Sequence, residues 1–155
     1  MADIQRTVVL IKPDGIQRDL LGEIVGRFER KGLKIVAMKF IHLTDDMLEE
    51  HYAHHASKPF FAGLKKFMMQ TPVCAMVLEG LDAIESVRKV VGATNPRAAD
   101  AGTIRADLAM NVPSNLIHAS DSPDASASEV KRFFKDDELF RYEKITDRYQ
   151  FGEGI

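Results

Sequence analysis

The segment that most restricts what this chain can fold into is residues 73–78, where every side chain is apolar. A strand with one solvated face alternates apolar and polar residues, so an unbroken apolar run is typical of a strand covered on both faces. The run contains Cys74, the only cysteine, which we expect to be a small buried residue rather than a reactive thiol. With one cysteine, no internal disulfide can form, and a zinc site would need other ligands.

Three further segments predict strands. Residues 7–11 form a β-branched apolar run that stops at Pro13-Asp14-Gly15, which indicates a strand followed by a turn. Residues 33–43 are mostly apolar and predict a long second strand, and residues 116–119 predict a short last one.

Helical patterns lie between these strands. Apolar residues recur at four-residue spacing over 20–28, and a lysine followed by Gly32 gives a helix stop. Thr44, with two acidic residues after it, predicts the N-cap of a helix that runs through about Tyr52. A second short helix is expected over 61–69.

Two more helices are predicted in the second half of the chain. Residues 82–85 resemble a capping box and open a helix that runs to Gly92. Ser122 predicts the cap of the last main helix, because a proline follows it at the first helical position. Phe133 and Phe134 are expected on the buried side of that helix.

The order of elements, β-α-β-(α)-β-α-β-α, predicts an α/β (α+β) sandwich of the ferredoxin-like βαββαβ type. Its sheet would have four mostly antiparallel strands covered by helices. A length of 155 residues gives room for a single domain, 1–155. Within it, the tail 141–155 is expected either to contact another subunit or to be loose.

Composition restricts the function as well. The formal net charge of -2 gives no general attraction for nucleic acid or an anionic membrane, so an anionic substrate would need cations gathered at one site. No apolar run is long enough to span a bilayer, and Asp3 and Arg6 fall where a signal peptide needs its apolar stretch. With its single cysteine, the chain is expected in a reducing, cytoplasmic setting.

Residues 92–115 show no sustained helical or strand period. A loop of this length is uncommon in a small domain and is usually functional or disordered. It contains Thr94 and Arg105 and leads directly into the strand that carries His118. We therefore expect a functional loop, the alternative being a mobile surface segment.

Four of the five histidines give no clear signal. His51 and His55 have helical i, i+4 spacing, but Tyr52 stands where the metalloprotease pattern requires glutamate. His54 and His55 are interpreted as a solvated helix face and His42 as a surface or edge residue, and metal binding by this group is not expected.

His118 differs because it interrupts an apolar strand just before a set of small polar residues. A buried histidine bonded to Ser120 or to a backbone carbonyl is the alternative interpretation. Lys12, Arg88 and Arg105 supply the cations that phosphoryl transfer requires, and imidazole is a nucleophile that is basic yet uncharged near neutral pH. From the residues alone, this set only suggests phosphoryl transfer.

Several blocks in unbroken order, from about residue 6 to 139, make the chain resemble the nucleoside diphosphate kinase family. The strongest is Asn115-Leu116-Ile117-His118-Ala119-Ser120-Asp121-Ser122, which matches the active-site signature of that family. The other matching blocks are residues 7–17, His51-Tyr52, Lys58-Pro59-Phe60-Phe61, Gly80-Leu81, 92–96 and 102–105. Several motifs at the right spacing are far more specific than one short motif.

The resemblance implies a reaction in which His118 accepts the γ-phosphoryl group of a nucleoside triphosphate and passes it to a nucleoside diphosphate. Glu129 would hold the other ring nitrogen and fix the tautomer, although on its own it would be taken for an ordinary exposed helix acid. Tyr52 would lie beside His118 and help position it. Ser120 would complete the catalytic set.

The resemblance also implies how the nucleotide is held. Lys12 and Asn115 would bind the sugar 3′-hydroxyl, with Lys12 also close to the transferring phosphate. The phosphates and the base would contact the remaining residues, which are Arg88, Thr94 and Arg105 for the phosphates and Phe60, Leu64 and Val112 for the base. Without the resemblance, Phe60, Leu64 and Val112 would be assigned to the core.

Asp121 would approach the Mg²⁺ that accompanies the substrate, through water. Stacking recognises a π-face rather than base edges, so broad base tolerance follows. The family also implies a homo-oligomer, usually a hexamer, with the second strand as an edge for subunit pairing.

Some positions depart from the family pattern. Pro113 and Ser114 replace a familiar glycine and arginine, and Pro113 removes a backbone N–H. His54 stands where an acidic residue is often found, which would weaken the Mg²⁺ environment, and Ala106 replaces a common glycine.

Two other classes remain open. A non-catalytic nucleotide-binding regulator would have no use for a His118 and Glu129 pair. A protein-directed phosphocarrier would use His118 in a relay but would need no base slot. A role in binding nucleic acid has no support from the acidic balance.

Overall fold

Four strands form one sheet within residues 3–152, the part of the chain that the computed structural model describes. They are β1 (Ile4–Ile11), β2 (Lys34–Ile41), β3 (Val73–Leu81) and β4 (Ile117–Ala119). Their order is β2-β3-β1-β4, and each neighbouring pair is antiparallel. The expected four-stranded ferredoxin-like sheet is confirmed, and β2 lies at one of its edges.

Helices and short 3₁₀ turns connect the strands in the same described part of the chain. The helices are α1 (Pro13–Gln17), α2 (Leu21–Lys31), α3 (Asp45–His51), α4 (Phe61–Met68), α5 (Ala83–Val91), α6 (Ile104–Leu108), α7 (Pro123–Phe133) and α8 (Asp147–Gln150). The 3₁₀ turns are Ala53–His55, Pro96–Ala98 and Asp136–Glu138. No helix in residues 3–152 is both long enough and apolar enough to cross a bilayer.

The sheet has a hydrophobic core on each of its faces. Along β1, Val9 and Ile11 pack with α2 and α5, while Val8 and Leu10 pack with α3, α4 and α7. The apolar run in β3 is buried throughout, as its composition predicted. Cys74 is 1% exposed, and burial raises the pKa of its thiol to about 11, which confirms a structural role rather than a reactive one.

Helix caps were predicted with mixed success. The Thr44 hydroxyl accepts a hydrogen bond from the Met47 N–H, and the Ser122 hydroxyl accepts one from the Ala125 N–H. The capping box predicted at residues 82–85 is wrong. Asp82 has a left-handed backbone with φ of 43°, and its carboxylate caps nothing, so the reciprocal bonds of a capping box cannot form.

Two predicted boundaries also need correction. The second strand is shorter than residues 33–43, because the N–H of Leu33 bonds back to Phe28 and completes the end of α2. The segment 92–115 is not free of regular structure, because it contains a 3₁₀ turn and α6. These elements have three and five residues, which is too short to produce a visible period in the sequence.

Part of the C-terminal tail packs on the chain itself. The Lys34 ammonium donates to the carbonyl of Tyr142 at 3.0 Å and pairs with Asp147 at 2.9 Å. A loose tail is therefore wrong for this stretch, because two contacts anchor it to the first residue of β2. The last residues of the predicted tail, 153–155, lie outside the described residues.

Candidate active site

The sheet register directs His118 toward the face that α3, α4 and α7 cover. In the antiparallel pairing of β1 with β4, Leu10 lies opposite His118. Directly opposed residues in a ladder project from the same face, and Leu10 belongs to the core on the α7 side. His118 thus interrupts the strand at the one point where its ring can meet residues from α3 and α7.

Glu129 of α7 contacts this ring. The Nε2 atom of His118 hydrogen-bonds to the carboxylate of Glu129, which is 5% exposed. An ionised carboxylate can only accept, so Nε2 carries the proton and Nδ1 keeps its lone pair. Glu129 is therefore not an ordinary exposed helix acid, because it is buried and holds the imidazole in the tautomer that leaves the lone pair on Nδ1.

A strained turn precedes the histidine. Leu116 has a φ of 74°, and the N–H of Ile117 bonds to the carbonyl of Asn115 two residues back, which is a γ-turn of the rare type. A buried leucine in this conformation costs about 1–3 kcal/mol. The surroundings hold it in place, since the Leu116 N–H donates to Asp14 and its carbonyl accepts from the Lys12 N–H. The turn brings Asn115 and His118 to the same cavity.

Lys12, Asn115 and Thr94 form a continuous polar chain. The Lys12 ammonium donates to the side-chain oxygen of Asn115 at 2.7 Å, and the amide nitrogen of Asn115 donates to the carbonyl of Thr94 at 2.9 Å. Burial is the main cause that lowers the pKa of Lys12 to about 8, a net value in which Asp14 opposes the change and Arg105 adds to it. The ammonium is thus still mostly charged at neutral pH and ready to meet an anion.

Arg105 uses its whole guanidinium to join the long loop to β4. It donates to the carbonyls of Asn115, Gly92 and Ile117 at 3.2, 3.0 and 2.6 Å. Burial, together with the nearby charge of Arg88, lowers the pKa of Arg105 to about 10. The resemblance implied that its planar fork would meet phosphate oxygens, but in this structure the fork meets backbone carbonyls.

The loop closes around a glycine that no other residue could replace without strain. Gly92 has a φ of 91°, and a Cβ built on it would lie 2.5 Å from the hydroxyl of Thr103. That hydroxyl caps α6, where it accepts from the Ala106 N–H. Because Arg105 also bonds to the carbonyls of Gly92 and Asn115, the two ends of the segment 92–115 are tied to each other.

A cavity of about 1350 Å³ lies beside His118 and is large enough for a nucleotide. It brings together twelve of the thirteen residues predicted for the site. Those twelve are Lys12, Tyr52, Phe60, Leu64, Arg88, Thr94, Arg105, Val112, Asn115, His118, Asp121 and Glu129. Lys12 and three arginines, Arg88, Arg105 and Arg132, come from distant parts of the chain and line this one cavity, which is the local gathering of cations that the sequence predicted.

Ser120 is the predicted residue that the cavity lining does not include. It is fully buried, and its hydroxyl lies 3.3 Å from the nitrogen and 3.4 Å from the oxygen of Val8. The interpretation of His118 as a ring bonded to Ser120 is therefore wrong. The structure shows Ser120 extending the pairing of β4 with β1.

Two of the three residues predicted to hold the base, Phe60 and Val112, are exposed rather than part of the core. Phe60 is 52% exposed and Val112 is 43% exposed, although both line the cavity. Apolar side chains left open at the mouth of a cavity mark a binding surface. Leu64 is half-buried behind them.

His51 is the residue whose importance the sequence did not reveal. It is 7% exposed, and its ring meets the ring of His118 edge to face, with 4.6 Å between centroids. Its i, i+3 spacing from the buried Leu48 was the available signal, since it places both on the inner face of α3. Tyr52, the residue predicted beside His118, packs against His51 in turn at 4.6 Å.

Arg132 of α7 completes this side of the cavity. Its guanidinium lies 3.0 Å from Nδ1 of His51, and it forms an ion pair with Glu50. A ring nitrogen of His51, one of His118 and an oxygen of Glu129 lie within 4.8 Å of one another, a spacing that could hold a cation. The arginine beside His51 opposes that use by charge.

His54 is exposed, as expected for a solvated position, and His55 is half-buried, but neither lies on the face of α3. They belong to the 3₁₀ turn after α3 and line the cavity, with their rings 3.9 Å apart between centroids. The ring of His55 also meets that of Phe60 at 5.3 Å. His42 is exposed, as expected.

Comparison with known proteins identifies the family to which the chain is similar. Residues 5–139 match the family model described as nucleoside diphosphate kinase. A nucleoside diphosphate kinase from Archaeoglobus fulgidus is 51% identical over 150 residues, which are 97% of this chain and 99% of that protein. One from Pyrococcus abyssi is 50% identical over 154 residues, covering 97% of this chain and 96% of the other.

Solved structures agree. A halophilic nucleoside diphosphate kinase from Halobacterium salinarum, in complex with CDP, superposes with a TM-score of 0.93 at 46% identity, covering 96% of this chain and 99% of that one. A transition state mimic of the Borrelia burgdorferi enzyme, with bound vanadate and ADP, gives 0.90 at 35% identity, covering 96% and 98%. This chain belongs to the nucleoside diphosphate kinase family of phosphotransferases.

Proposed function

We propose that the chain transfers the γ-phosphoryl group of a nucleoside triphosphate to a nucleoside diphosphate through a covalent phosphohistidine at His118. The observation that carries this proposal is the bond between Nε2 of His118 and the buried carboxylate of Glu129. It leaves one basic nitrogen, Nδ1, on a ring that borders a cavity of nucleotide size.

The first half-reaction balances as follows. The Nδ1 lone pair attacks the γ-phosphorus, an N–P bond forms, and the bond from phosphorus to the bridging oxygen breaks, so that the nucleoside diphosphate leaves with that electron pair. In the second half-reaction a terminal oxygen of another diphosphate attacks the same phosphorus and His118 leaves. The bonds made and broken are alike, so positioning and charge stabilisation supply most of the acceleration.

Lys12 and Arg88 would meet the phosphates directly. The Lys12 ammonium donates to Asn115 and to the carbonyl of Pro113, which leaves its third N–H for a further acceptor. Lys12 and Asn115 would also bind the sugar 3′-hydroxyl. Arg88 is exposed at the cavity wall, and Thr94 adds a hydroxyl there. Arg105 already donates to backbone carbonyls, so we assign it two indirect roles. Its positive charge would attract the phosphates, and its hydrogen bonds would hold the loop that lines the cavity.

Phe60 and Val112 would contact the two faces of the base, with Leu64 behind them. Stacking recognises any π-face, so the site would accept purines and pyrimidines alike. The complexes of the two relatives, one with CDP and one with ADP, support the same tolerance here.

Mg²⁺ would accompany the substrate. Asp121 and Asp124 are exposed carboxylates at the cavity wall, and hard oxygen ligands of this kind fit a magnesium ion that keeps most of its water and binds chiefly to phosphates. When bound, the ion would neutralise charge on the phosphate oxygens. His54 supplies no such oxygen, so the protein's share of the ion's ligands would fall to the two aspartates.

Association into a homo-oligomer, with a hexamer favoured, is part of the proposal. The second half of the edge strand β2 carries Met38 and Phe40, which are 46% and 60% exposed, and exposed apolar side chains on an edge strand favour pairing with another subunit. Sedimentation equilibrium would give the subunit number. We also propose a cytoplasmic location, where the nucleotide substrates are held in a reducing setting.

Initial-rate kinetics test the proposed reaction. With ATP as donor and GDP as acceptor, a covalent carrier predicts parallel lines in double-reciprocal plots, because the first product leaves before the second substrate binds. Intersecting lines would show that both nucleotides must bind together and would contradict the phosphohistidine. Nucleotide binding with no exchange would indicate a regulator instead.

A further inference from the structure

Two imidazoles lie side by side at the proposed reaction centre, and only one of them can be the phosphoryl carrier. The rings of His51 and His118 are in edge-to-face contact, and a nitrogen of each lies within 4.8 Å of the other. A nucleophilic histidine needs a nitrogen with a free lone pair. The question is what prevents His51 from serving as a second acceptor.

The answer lies in the partners of the two His51 nitrogens. A guanidinium has N–H donors and no acceptor, so the contact of 3.0 Å from Arg132 requires that Nδ1 of His51 accept. A ring that accepts at Nδ1 is neutral and carries its proton on Nε2. That Nε2 atom is buried without a hydrogen-bond partner in the described residues. Both nitrogens are therefore unavailable for attack, one engaged and the other protonated.

We propose that Arg132 holds His51 in the neutral Nε2–H tautomer, and so reserves the role of phosphoryl acceptor for His118. Both residues are positioning residues in this scheme. The proposal rests on the proposed function, since it concerns which ring of the pair carries the phosphoryl group.

The surroundings of His51 favour the neutral ring. Burial, together with the neighbouring charges of His118, Arg132 and His54, lowers its pKa to about 2. The negative groups near it are already engaged, since Glu129 bonds to His118 and Glu50 pairs with Arg132. The ring is also enclosed, because Phe133 packs against it edge to face at 5.1 Å.

Arg132 is itself well placed to act on the tautomer. Its side chain is 15% exposed, against 66% for its ion-pair partner Glu50, so the arginine is directed inward while the glutamate remains in solvent. Its guanidinium also lies over the ring of Phe133, at 6.0 Å from the centroid. Lys131, the preceding residue, is exposed and provides a matched control on the same helix.

Ring-nitrogen NMR tests the tautomer on the full-length protein labelled with ¹⁵N-histidine, with His51 assigned by comparison with a His51→Gln sample. We expect a neutral ring with the proton on Nε2 and no titration between about pH 5 and 8. In Arg132→Leu we expect His51 to lose this single tautomer, whereas Lys131→Leu should match the wild type. A proton on Nδ1 of His51, or titration of that ring in the wild type, would overturn the inference.

Single-turnover kinetics test the consequence. Arg132→Leu should slow phosphorylation of the protein by ATP roughly tenfold to a hundredfold. The ATP concentration that gives half of the maximal rate should change little, because the substitution affects the orientation of the ring rather than the binding of ATP. Arg132→Lys should recover part of the rate, since an ammonium also only donates. A rate for Arg132→Leu equal to that of Lys131→Leu would contradict the proposal. The NMR result needs no nucleotide, so failure of the proposed phosphohistidine would be seen separately, as wild-type protein that takes up no phosphate.

Discussion

The ammonium of Lys12 lies 2.7 Å from the side-chain oxygen of Asn115, although the two residues are 103 positions apart in the chain. The contact joins the end of β1 to the turn before β4, and it buries a cation at the site proposed for an anionic substrate. Burying this cation lowers the stability of the folded chain but favours the binding of an anion. A change at Lys12 should therefore affect stability and nucleotide binding in opposite directions.

Stability of the wild type relative to Lys12→Met should therefore depend on pH. The pKa of Lys12 is about 8 in the folded chain and 10.5 as its ordinary value, so the cost of the buried charge is complete below pH 8 and is lost as the pH rises toward 10.5. We expect the wild type to gain about 1–3 kcal/mol relative to the variant over this interval. Urea unfolding at a series of pH values measures it, and parallel profiles for the two proteins would contradict the buried charge.

Glu129→Gln should remove most of the catalytic rate and leave the fold intact. The amide is neutral and can present an N–H to the ring, so it no longer enforces a proton on Nε2 of His118. We expect phosphorylation by ATP to slow by roughly 10²- to 10⁴-fold. Rapid-quench assays with Glu85→Gln, an exposed acid on α5, give the control. Equal rates for the two variants would show that the carboxylate has no part in orienting His118.

Phe60→Ala should weaken the binding of purine and pyrimidine nucleotides alike. Stacking on an aromatic ring contributes about 1–3 kcal/mol per base, so dissociation constants should rise about tenfold or more. Calorimetric titration with ADP and CDP measures the change. Phe140→Ala is the matched control, since Phe140 is 63% exposed and lies outside the cavity lining. An unchanged affinity for both nucleotides would remove Phe60 from the base site.

Arg105→Lys should lower stability as well as activity, although it conserves charge. The guanidinium donates to three carbonyls of the loop and of β4, and an ammonium cannot reproduce that planar arrangement. We expect a loss of about 1–3 kcal/mol, because buried carbonyls are left without donors. Thermal unfolding of Arg97→Lys, an exposed arginine in the same loop, is the comparison. If both variants melt at the wild-type temperature, Arg105 does not stabilise the loop through its three hydrogen bonds.

The parts of the fold that follow from local pattern were predictable. The apolar run in β3, the Thr44 and Ser122 caps and the order of the elements together gave the sheet and its helices. Asp82 was misassigned because its left-handed backbone depends on neighbours that a spacing rule does not include. The short helix α6 was missed because five residues are too few to establish a helical period.

The residues of the site also fall into those that the sequence predicted and those that it did not. His118 and its cations stood out because a histidine inside an apolar strand is unusual, and the motif resemblance supplied Phe60 and Val112, which composition alone would have placed in the core. His51 was not predicted because its role depends on Arg132, which is 81 positions away and reaches it only through the packing of α3 against α7. No spacing within one helix carries that information.

The most direct test of the account is a label-and-chase experiment on the carrier. The protein is mixed with Mg²⁺ and γ-labelled ATP, separated from free nucleotide and then given unlabelled GDP, with His118→Gln and His42→Gln alongside. We expect label on the wild type and on His42→Gln that survives alkali, is lost in acid and leaves as GTP, with none on His118→Gln. Label that is absent from the wild type, or present on His118→Gln, would contradict His118 as the carrier.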